Sequence, residues 1–145
     1  MKPRHFIARL DRQLIETAIH QAELKTSGEI RVVIHRKPVA AAVAAARHEF
    51  VRLGMQKTRH RNAVLLFVAP ASQTFAIIGD EGVHAKCGDP FWAEVAGAMQ
   101  KNFRDGHHTA AIVEGIERAG ASLAAHFPPE PGHNANELPD KVIEQ

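Results

Sequence analysis

An unbroken run of six apolar residues near the middle of the chain constrains the fold more than any other feature. It reads AVLLFV over residues 63–68, which is the length of one strand and is typical of a strand buried on both faces. A strand of that kind needs other elements packed above and below the sheet. Of the 145 residues, 45% are hydrophobic and 23% are charged, so the chain can form one apolar core and is not of the disordered class.

Helical and strand patterns alternate around this run. β-branched residues at 29–35 predict a strand that precedes it, joined by a helical crossover and therefore parallel to it. Residues 74–78 predict a third strand that returns antiparallel after a short loop. The predicted helices begin at Asp11 as N-cap, at Pro38 for residues 39–50, at Asp89-Pro90, and near Ile112 for a helix that ends at Phe127. The pattern predicts an α/β domain with a small mixed sheet and helices on both faces.

The domain is expected to span residues 1–127. Residues 128–145 are rich in Pro, Gly, Asn and Glu, a composition that predicts a flexible extension rather than an element of the fold.

Several classes of protein are disfavoured. No apolar stretch approaches the ~20 residues of a membrane span, and no signal-peptide core follows the first residues, so we expect a soluble, cytoplasmic chain. The single cysteine, Cys87, excludes an intrachain disulfide. The P-loop, GxGxxG, GxSxG and HExxH motifs are absent.

A short basic cluster at residues 57–61 gives little support for nucleic-acid binding. Lys57, Arg59, His60 and Arg61 stand together without an aromatic residue among them, and the chain has no Tyr. Binding by base stacking needs aromatic platforms, so we expect no nucleic-acid partner and interpret the cluster as a solvated linker.

One polar segment, residues 79–89, could carry chemistry. It contains three carboxylates, Asp80, Glu81 and Asp89, together with His84. Oxygen donors suit calcium or magnesium, whereas an imidazole ligand would favour zinc or manganese, which we consider the less favoured ions here. Two alternatives stay open: the segment is a solvated turn, and Asp89 is only the N-cap of the helix that begins at Pro90.

The predicted topology brings two more residues to this segment. If the third strand runs antiparallel to the first two, it ends at the sheet edge where they begin. Glu29 and Asn62 stand at those beginnings. We therefore predict one acidic, amide-lined rim, with Glu29 as a further metal ligand and Asn62 as an additional polar group.

Five segments together resemble the TPM domain family over roughly residues 10–127: TSGEIRV at 26–32, RNAVLLF at 61–67, FAIIGDEG at 75–82, DPFW at 89–92 and FRDG at 103–106. The resemblance implies a three-layer α/β/α sandwich with a small central sheet. Divalent-cation binding and acid phosphatase activity have been attributed to some members. Glu29, Asn62 and Asp89 match the family pattern, while His84 stands where many members have Glu.

Two functions are compatible with these observations. The first is a binding or accessory module whose rim engages a cation or a protein partner, because no complete catalytic set is visible. The alternative is a metal-dependent, acid-phosphatase-like phosphomonoester hydrolase, which the resemblance favours and which would need a metal-activated water. Whether the chain is an enzyme stays open, and no catalytic residue is assigned.

Overall fold

The apolar run forms the centre of a four-stranded sheet. In the computed structural model, which describes residues 2–130 and 142–145, strand β2 (Ala63–Ala69) is buried at every residue. It pairs in parallel with β1 (Glu29–Ile34) and antiparallel with β3 (Thr74–Gly79). The predicted mixed sheet is confirmed, with the strand order β3-β2-β1-β4.

Helices cover both faces of the sheet, which confirms the predicted α/β/α architecture. The described elements follow in the order α1 (Pro3–Arg9), α2 (Arg12–Glu23), β1, α3 (Ala42–Arg52), β2, β3, α4 (Glu81–Arg104), α5 (His108–His126) and β4 (Ile143–Glu144), with 3₁₀ turns at Met55–Lys57 and Pro70–Ser72. None of the helices in the described ranges is long and apolar enough to cross a membrane.

The two faces have separate cores. On one face, α1, α2, α4 and α5 pack against alternate strand residues such as Ile30, Val64 and Leu66. On the other face, α3 packs against the remaining set, which includes Leu65 and Phe67. This alternation is the period of two that a pleated strand imposes on its side chains.

The helix boundaries follow local signals in two cases. Asp11 caps α2 as predicted, because its Oδ1 accepts a hydrogen bond from the Leu14 N–H at 3.0 Å. The last helix is also confirmed: Ile112, Ile116 and Leu123 are fully buried along one side of α5.

The helix predicted to begin at Pro38 begins four residues later, at Ala42. The reason is a competing hydrogen bond: Ser72 Oγ donates to the Val39 carbonyl at 3.3 Å, and a helix from Pro38 would need that carbonyl for the Val43 N–H. The Val39 N–H donates back to Ser72 Oγ at 2.9 Å. These contacts tie the backbone after Pro38 to the loop before β3 and hold it out of the helix.

The helix predicted to begin at Asp89-Pro90 begins at Glu81 instead. Asp80 provides the cap, and the helix is broken at Gly88, which has φ 72° and ψ −175°. Pro90 cannot continue a regular helix because it lacks the N–H and clashes with the preceding turn. The expected boundary is thus present as a break within α4.

Residues 128–145 were predicted to be a flexible extension, and this prediction is wrong for the last residues. Ile143–Glu144 form β4, which pairs in parallel with Val33 and Ile34 of β1, and Val142 is 5% exposed. Residues 131–141 lie outside the described part of the chain. The sequence pattern missed β4 because two residues carry no periodic signal.

Candidate functional site

The predicted rim lies where β1 and β2 begin and β3 ends. The Asp80 N–H donates to the Ala63 carbonyl at 2.9 Å, and the Glu29 N–H donates to the Asn62 carbonyl at 3.4 Å. Glu29, Asn62 and Asp80 therefore stand on adjacent segments of chain, as expected from the antiparallel return of β3. Residues 26–29, 58–63 and 79–82 together form the rim.

Buried polar side chains are concentrated at this rim. Six polar or charged residues are buried in the described part of the chain, and five of them belong to the rim: Thr26, Glu29, Thr58, Asn62 and Asp80. The sixth, Glu49, lies on α3 and accepts a hydrogen bond from Arg52. Burial of a polar group costs free energy unless it is hydrogen-bonded, and most of the buried polar residues in the described part of the chain are at the rim.

Asp80 caps α4 and binds Arg61. Its Oδ1 accepts a hydrogen bond from the Glu81 N–H at 2.8 Å. Arg61 donates from Nε to Oδ2 at 2.7 Å and from Nη2 to Oδ1 at 2.8 Å, which is the bidentate geometry that guanidinium groups form with carboxylates. Hydrogen bonding to Asp80 raises the pKa of Arg61. Only 5% of the Asp80 side chain is exposed, against 42% for Arg61, so the cation lies on the solvent side of a buried carboxylate.

Close packing of two backbones sets the position of Arg61. Arg61 has a left-handed φ of 52°, and its carbonyl accepts a hydrogen bond from the Gly82 N–H at 2.9 Å. A Cβ at position 82 would lie 2.5 Å from the His60 carbonyl oxygen and 2.6 Å from that of Arg61. The start of α4 can therefore pack this closely against the loop at residues 60–61 only with glycine at position 82.

Glu29 and Asp80 belong to the same face of the sheet. Ile30 and Val64 point into the core on the face covered by α1, α2, α4 and α5. Glu29 and its partner Ala63 therefore point to the other face, toward α3. Asp80 continues the register on the other side of Ala63. The two acidic residues thus flank a small side chain at two strand spacings, roughly 10 Å between Cα atoms.

Asn62 lies on the opposite face from this acidic pair, because it directly precedes Ala63 in the strand direction. Its Nδ2 donates to Ser27 Oγ at 3.3 Å, and its backbone N–H donates to Thr58 Oγ1 at 3.3 Å. The Asn62 Oδ1 is buried and accepts no hydrogen bond from the residues that the structure describes. Asn62 thus organises the turn into β2 and does not face Asp80.

The other predicted ligands lie apart from the buried pair. Glu81 is 73% exposed and reaches Arg61 Nη1 at 3.4 Å. His84 is engaged by Trp92, whose Nε1 donates to His84 Nδ1 at 3.2 Å. Asp89 is exposed beyond the break in α4, and its carboxylate forms no hydrogen bond or ion pair within the described ranges.

The described residues contain no group of three or more His, Cys, Asp or Glu side chains arranged to hold a metal ion. The carboxylates at the rim are two buried residues, Glu29 and Asp80, and one exposed residue, Glu81. What the arrangement can do chemically is bind a positive charge at Asp80, which Arg61 supplies here.

Sequence reasoning missed Arg61 because it treated residues 57–61 as a solvated linker. In the structure this cluster is paired with acids: Arg59 Nη1 lies 3.0 Å from a Glu130 carboxylate oxygen, and His60 also contacts Glu130. One signal was available. A basic residue two positions before the central strand β2, opposite an acidic turn, is placed to neutralise that turn.

The TPM domain family matches residues 1–122 of the chain. The chain belongs to the TPM domain family. The match covers α1 to most of α5 and includes the whole rim, so the resemblance inferred from the five sequence segments is confirmed.

Solved structures agree with this assignment. The NMR structure of BA42 protein from the psychrophilic bacterium Bizionia argentinensis is 36% identical, covers 92% of each chain and superposes with a TM-score of 0.85. The N-terminal domain of a P. gingivalis protein is 13% identical (TM-score 0.62), with 81% of this chain and 78% of that chain covered. The N-terminal domain of cg2496 from Corynebacterium glutamicum is 14% identical (TM-score 0.62), with 85% and 78% covered. The last two show a shared fold. No curated protein matches the chain.

Proposed function

We propose that this TPM domain is a binding or accessory module whose rim takes up a divalent cation at Asp80 and Glu29, in exchange for the guanidinium of Arg61. One observation carries the proposal. A carboxylate with 5% of its side chain exposed is neutralised by a cation with 42% exposed, so the positive charge can leave toward solvent while the negative charge stays in place.

A divalent ion can use both carboxylates, whereas the guanidinium uses one. Glu29 and Asp80 both belong to the α3 face and are both buried. Arg61 forms its bidentate contact with Asp80, and a divalent ion accepts oxygen ligands from several groups at once. Calcium accepts carboxylates, backbone carbonyls and waters in flexible geometry, and magnesium keeps several waters, so two protein carboxylates are a sufficient anchor. Zinc and manganese are less favoured, because the His84 Nδ1 is already hydrogen-bonded to Trp92.

The experiment is an ion titration of the full chain followed by thermal unfolding. A ligand that binds only the folded state stabilises it by RT ln(1 + [L]/Kd), about 2.7 kcal/mol at a hundredfold excess over Kd. For a chain of this size that is a rise in Tm of roughly 8 °C. Calcium, magnesium, zinc and manganese are compared at equal concentration.

Matched variants locate the site. Glu29→Gln should abolish the gain in Tm, because it removes one anchoring charge without changing side-chain size. Glu49→Gln is the control, since it neutralises the buried carboxylate that lies outside the rim. Asp89→Asn measures whether Asp89, which lies outside the rim, contributes, because it removes the charge without changing side-chain size. A gain in Tm that Glu29→Gln and Asp80→Asn both leave intact would refute the proposal.

Phosphomonoester hydrolysis is the second candidate, and it rests on the family. The rim hydroxyls of Thr26, Ser27 and Thr58 are held in hydrogen bonds with Phe127 and Asn62, so hydrolysis would proceed through water activated by the bound ion. Turnover of a generic phosphate ester that requires the ion and is lost in Asp80→Asn protein would establish the enzyme. Cation binding without turnover would leave the binding module.

A further inference from the structure

Strand β3 forms one edge of the sheet and lacks the charged residues and prolines that commonly protect an edge. Its only strand neighbour in the described residues is β2. The sequence TFAIIG contains no charged residue and no proline, and natural edge strands commonly use both to prevent pairing with another chain. An apolar edge of this kind is expected to be covered by something.

The backbone groups that face outward from this edge can be assigned. The Asp80 N–H donates to the Ala63 carbonyl, and hydrogen-bonded pairs alternate along an antiparallel ladder. Following the register back from Asp80, the groups of Ala76 and Ile78 point toward β2. The N–H and C=O groups of Phe75, Ile77 and Gly79 therefore point away from β2, in the spacing that an added strand would use.

A groove follows this edge along its full length. Two cavities of about 400 and 620 Å³ share Phe75 and Gln100 in their walls, and together their linings include every residue from Thr74 to Gly79. Six residues of strand extend over roughly 20 Å. On the α4 side the wall includes His84, Trp92 and Gln100, with the small residues Ala93, Ala96 and Gly97 between Trp92 and Gln100. A Cβ added at Gly97 would meet no atom within 4 Å. The groove thus has room for side chains of an extended peptide.

One end of the groove is aromatic. Phe6, Phe75, Phe103 and His108 line the smaller cavity. The Phe75 and Phe103 ring centroids are 5.4 Å apart, and those of Phe6 and His108 are 4.6 Å apart. Such a cluster suits an aromatic or large apolar side chain, because buried rings contribute large contact areas to binding.

The charge of the groove is positive. Arg47 lines the larger cavity and Arg104 the smaller one, and no Asp or Glu lines either. Both arginines are exposed, and neither forms an ion pair with a described residue. Two acids of α4, Glu81 and Glu94, are paired with Arg61 and Arg118, and Asp105 follows Arg104 outside the groove lining. Charge complementarity therefore selects a partner segment with acidic residues.

We propose that the β3 groove binds an extended, acidic peptide segment of a partner protein, which adds a strand to the sheet and places an aromatic or large apolar residue in the Phe6–Phe75–Phe103 pocket. Addition of a strand to an exposed edge gives affinity through main-chain hydrogen bonds and specificity through side-chain pockets. This proposal can hold or fail separately from cation uptake at the rim. The variants below leave every rim carboxylate unchanged.

The test is selection from a random peptide display library on the immobilised full chain, followed by titration of the synthetic selected peptides. We expect selected sequences that combine acidic residues with an aromatic residue, and amide chemical-shift changes concentrated at residues 74–79. Arg47→Glu should weaken binding roughly fivefold, since it converts one exposed attraction into a repulsion. Lys101→Glu, a charge reversal on α4 outside the groove lining, should leave binding unchanged.

A second variant tests strand addition itself. Ile77→Pro removes one outward N–H, which an edge strand tolerates, and should abolish binding, while Ile77→Val should retain it. If Ile77→Pro fails to fold, Arg47→Glu and the location of the shifts decide. No enrichment of peptides, equal binding by Arg47→Glu protein, or shifts away from β3 would overturn the proposal. So would a dimer of wild-type chains that Arg47→Glu dissociates, because a second copy would then occupy the edge.

Discussion

Replacing Gly82 by alanine tests the contact that places Arg61 on Asp80. The added Cβ would lie 2.5 and 2.6 Å from the carbonyl oxygens of His60 and Arg61. These are backbone atoms, which cannot rotate away, so either α4 or the loop at residues 60–61 must shift. Overpacking of this kind costs about 1–3 kcal/mol, and we take the upper end because the obstacle is backbone.

The helix propensity of alanine opposes this cost. Alanine in place of glycine in a helix gains about 1 kcal/mol, so the net destabilisation expected for Gly82→Ala is about 2 kcal/mol. Gly97→Ala is the matched control in the same helix. A Cβ there meets nothing within 4 Å, so only the gain of up to about 1 kcal/mol remains.

Urea unfolding followed by circular dichroism measures both variants. The expected difference between them is about 3 kcal/mol, with Gly97→Ala the more stable. Equal stabilities would refute the argument, because they would mean that the loop and the start of α4 are not in contact as described.

Two further predictions concern Asp80 and His108. Asp80→Ala should be less stable than Asp80→Asn by about 1 kcal/mol in urea unfolding without added ions, because asparagine retains the helix cap; equal stabilities would exclude the cap. Burial, followed by the positive charge of Arg9, lowers the pKa of His108 below 6.5, so the unfolded chain binds the proton more readily. The free energy of unfolding should then fall as the pH drops below 6.5, and His108→Gln should reduce that fall when wild type and variant are unfolded at pH 7 and pH 5.5. An unchanged pH dependence would show that His108 does not contribute.

The sheet could be predicted from the sequence because its signals are local. The apolar run at residues 63–68 became β2 with one added residue, and the hairpin to β3 followed from a short loop between two strand-like runs. Elements defined by distant contacts were missed. β4 depends on pairing with β1 across more than a hundred residues, and the start of α3 depends on Ser72.

The convergence of the rim residues was predictable, and their contacts were not. Glu29, Asn62 and Asp80 were expected at one edge because the strand directions determine which ends meet. Their separation onto two faces depends on the exact register, and the pairing of Arg61 with Asp80 depends on a left-handed residue and on glycine at position 82. These are tertiary contacts, which periodicity and composition do not encode.

The most direct test of the central claim is to follow the side-chain Nε–H resonance of Arg61 by ¹H–¹⁵N NMR during titration of the full chain with calcium or magnesium. The Arg61 Nε–H group donates a hydrogen bond to Asp80 Oδ2, with a distance of 2.7 Å between nitrogen and oxygen. If a cation replaces the guanidinium, the Arg61 resonance should move toward the position of a solvated arginine in step with the Glu81 amide, whose N–H also bonds to Asp80. An Arg61 resonance that stays unchanged at saturating ion would contradict the exchange.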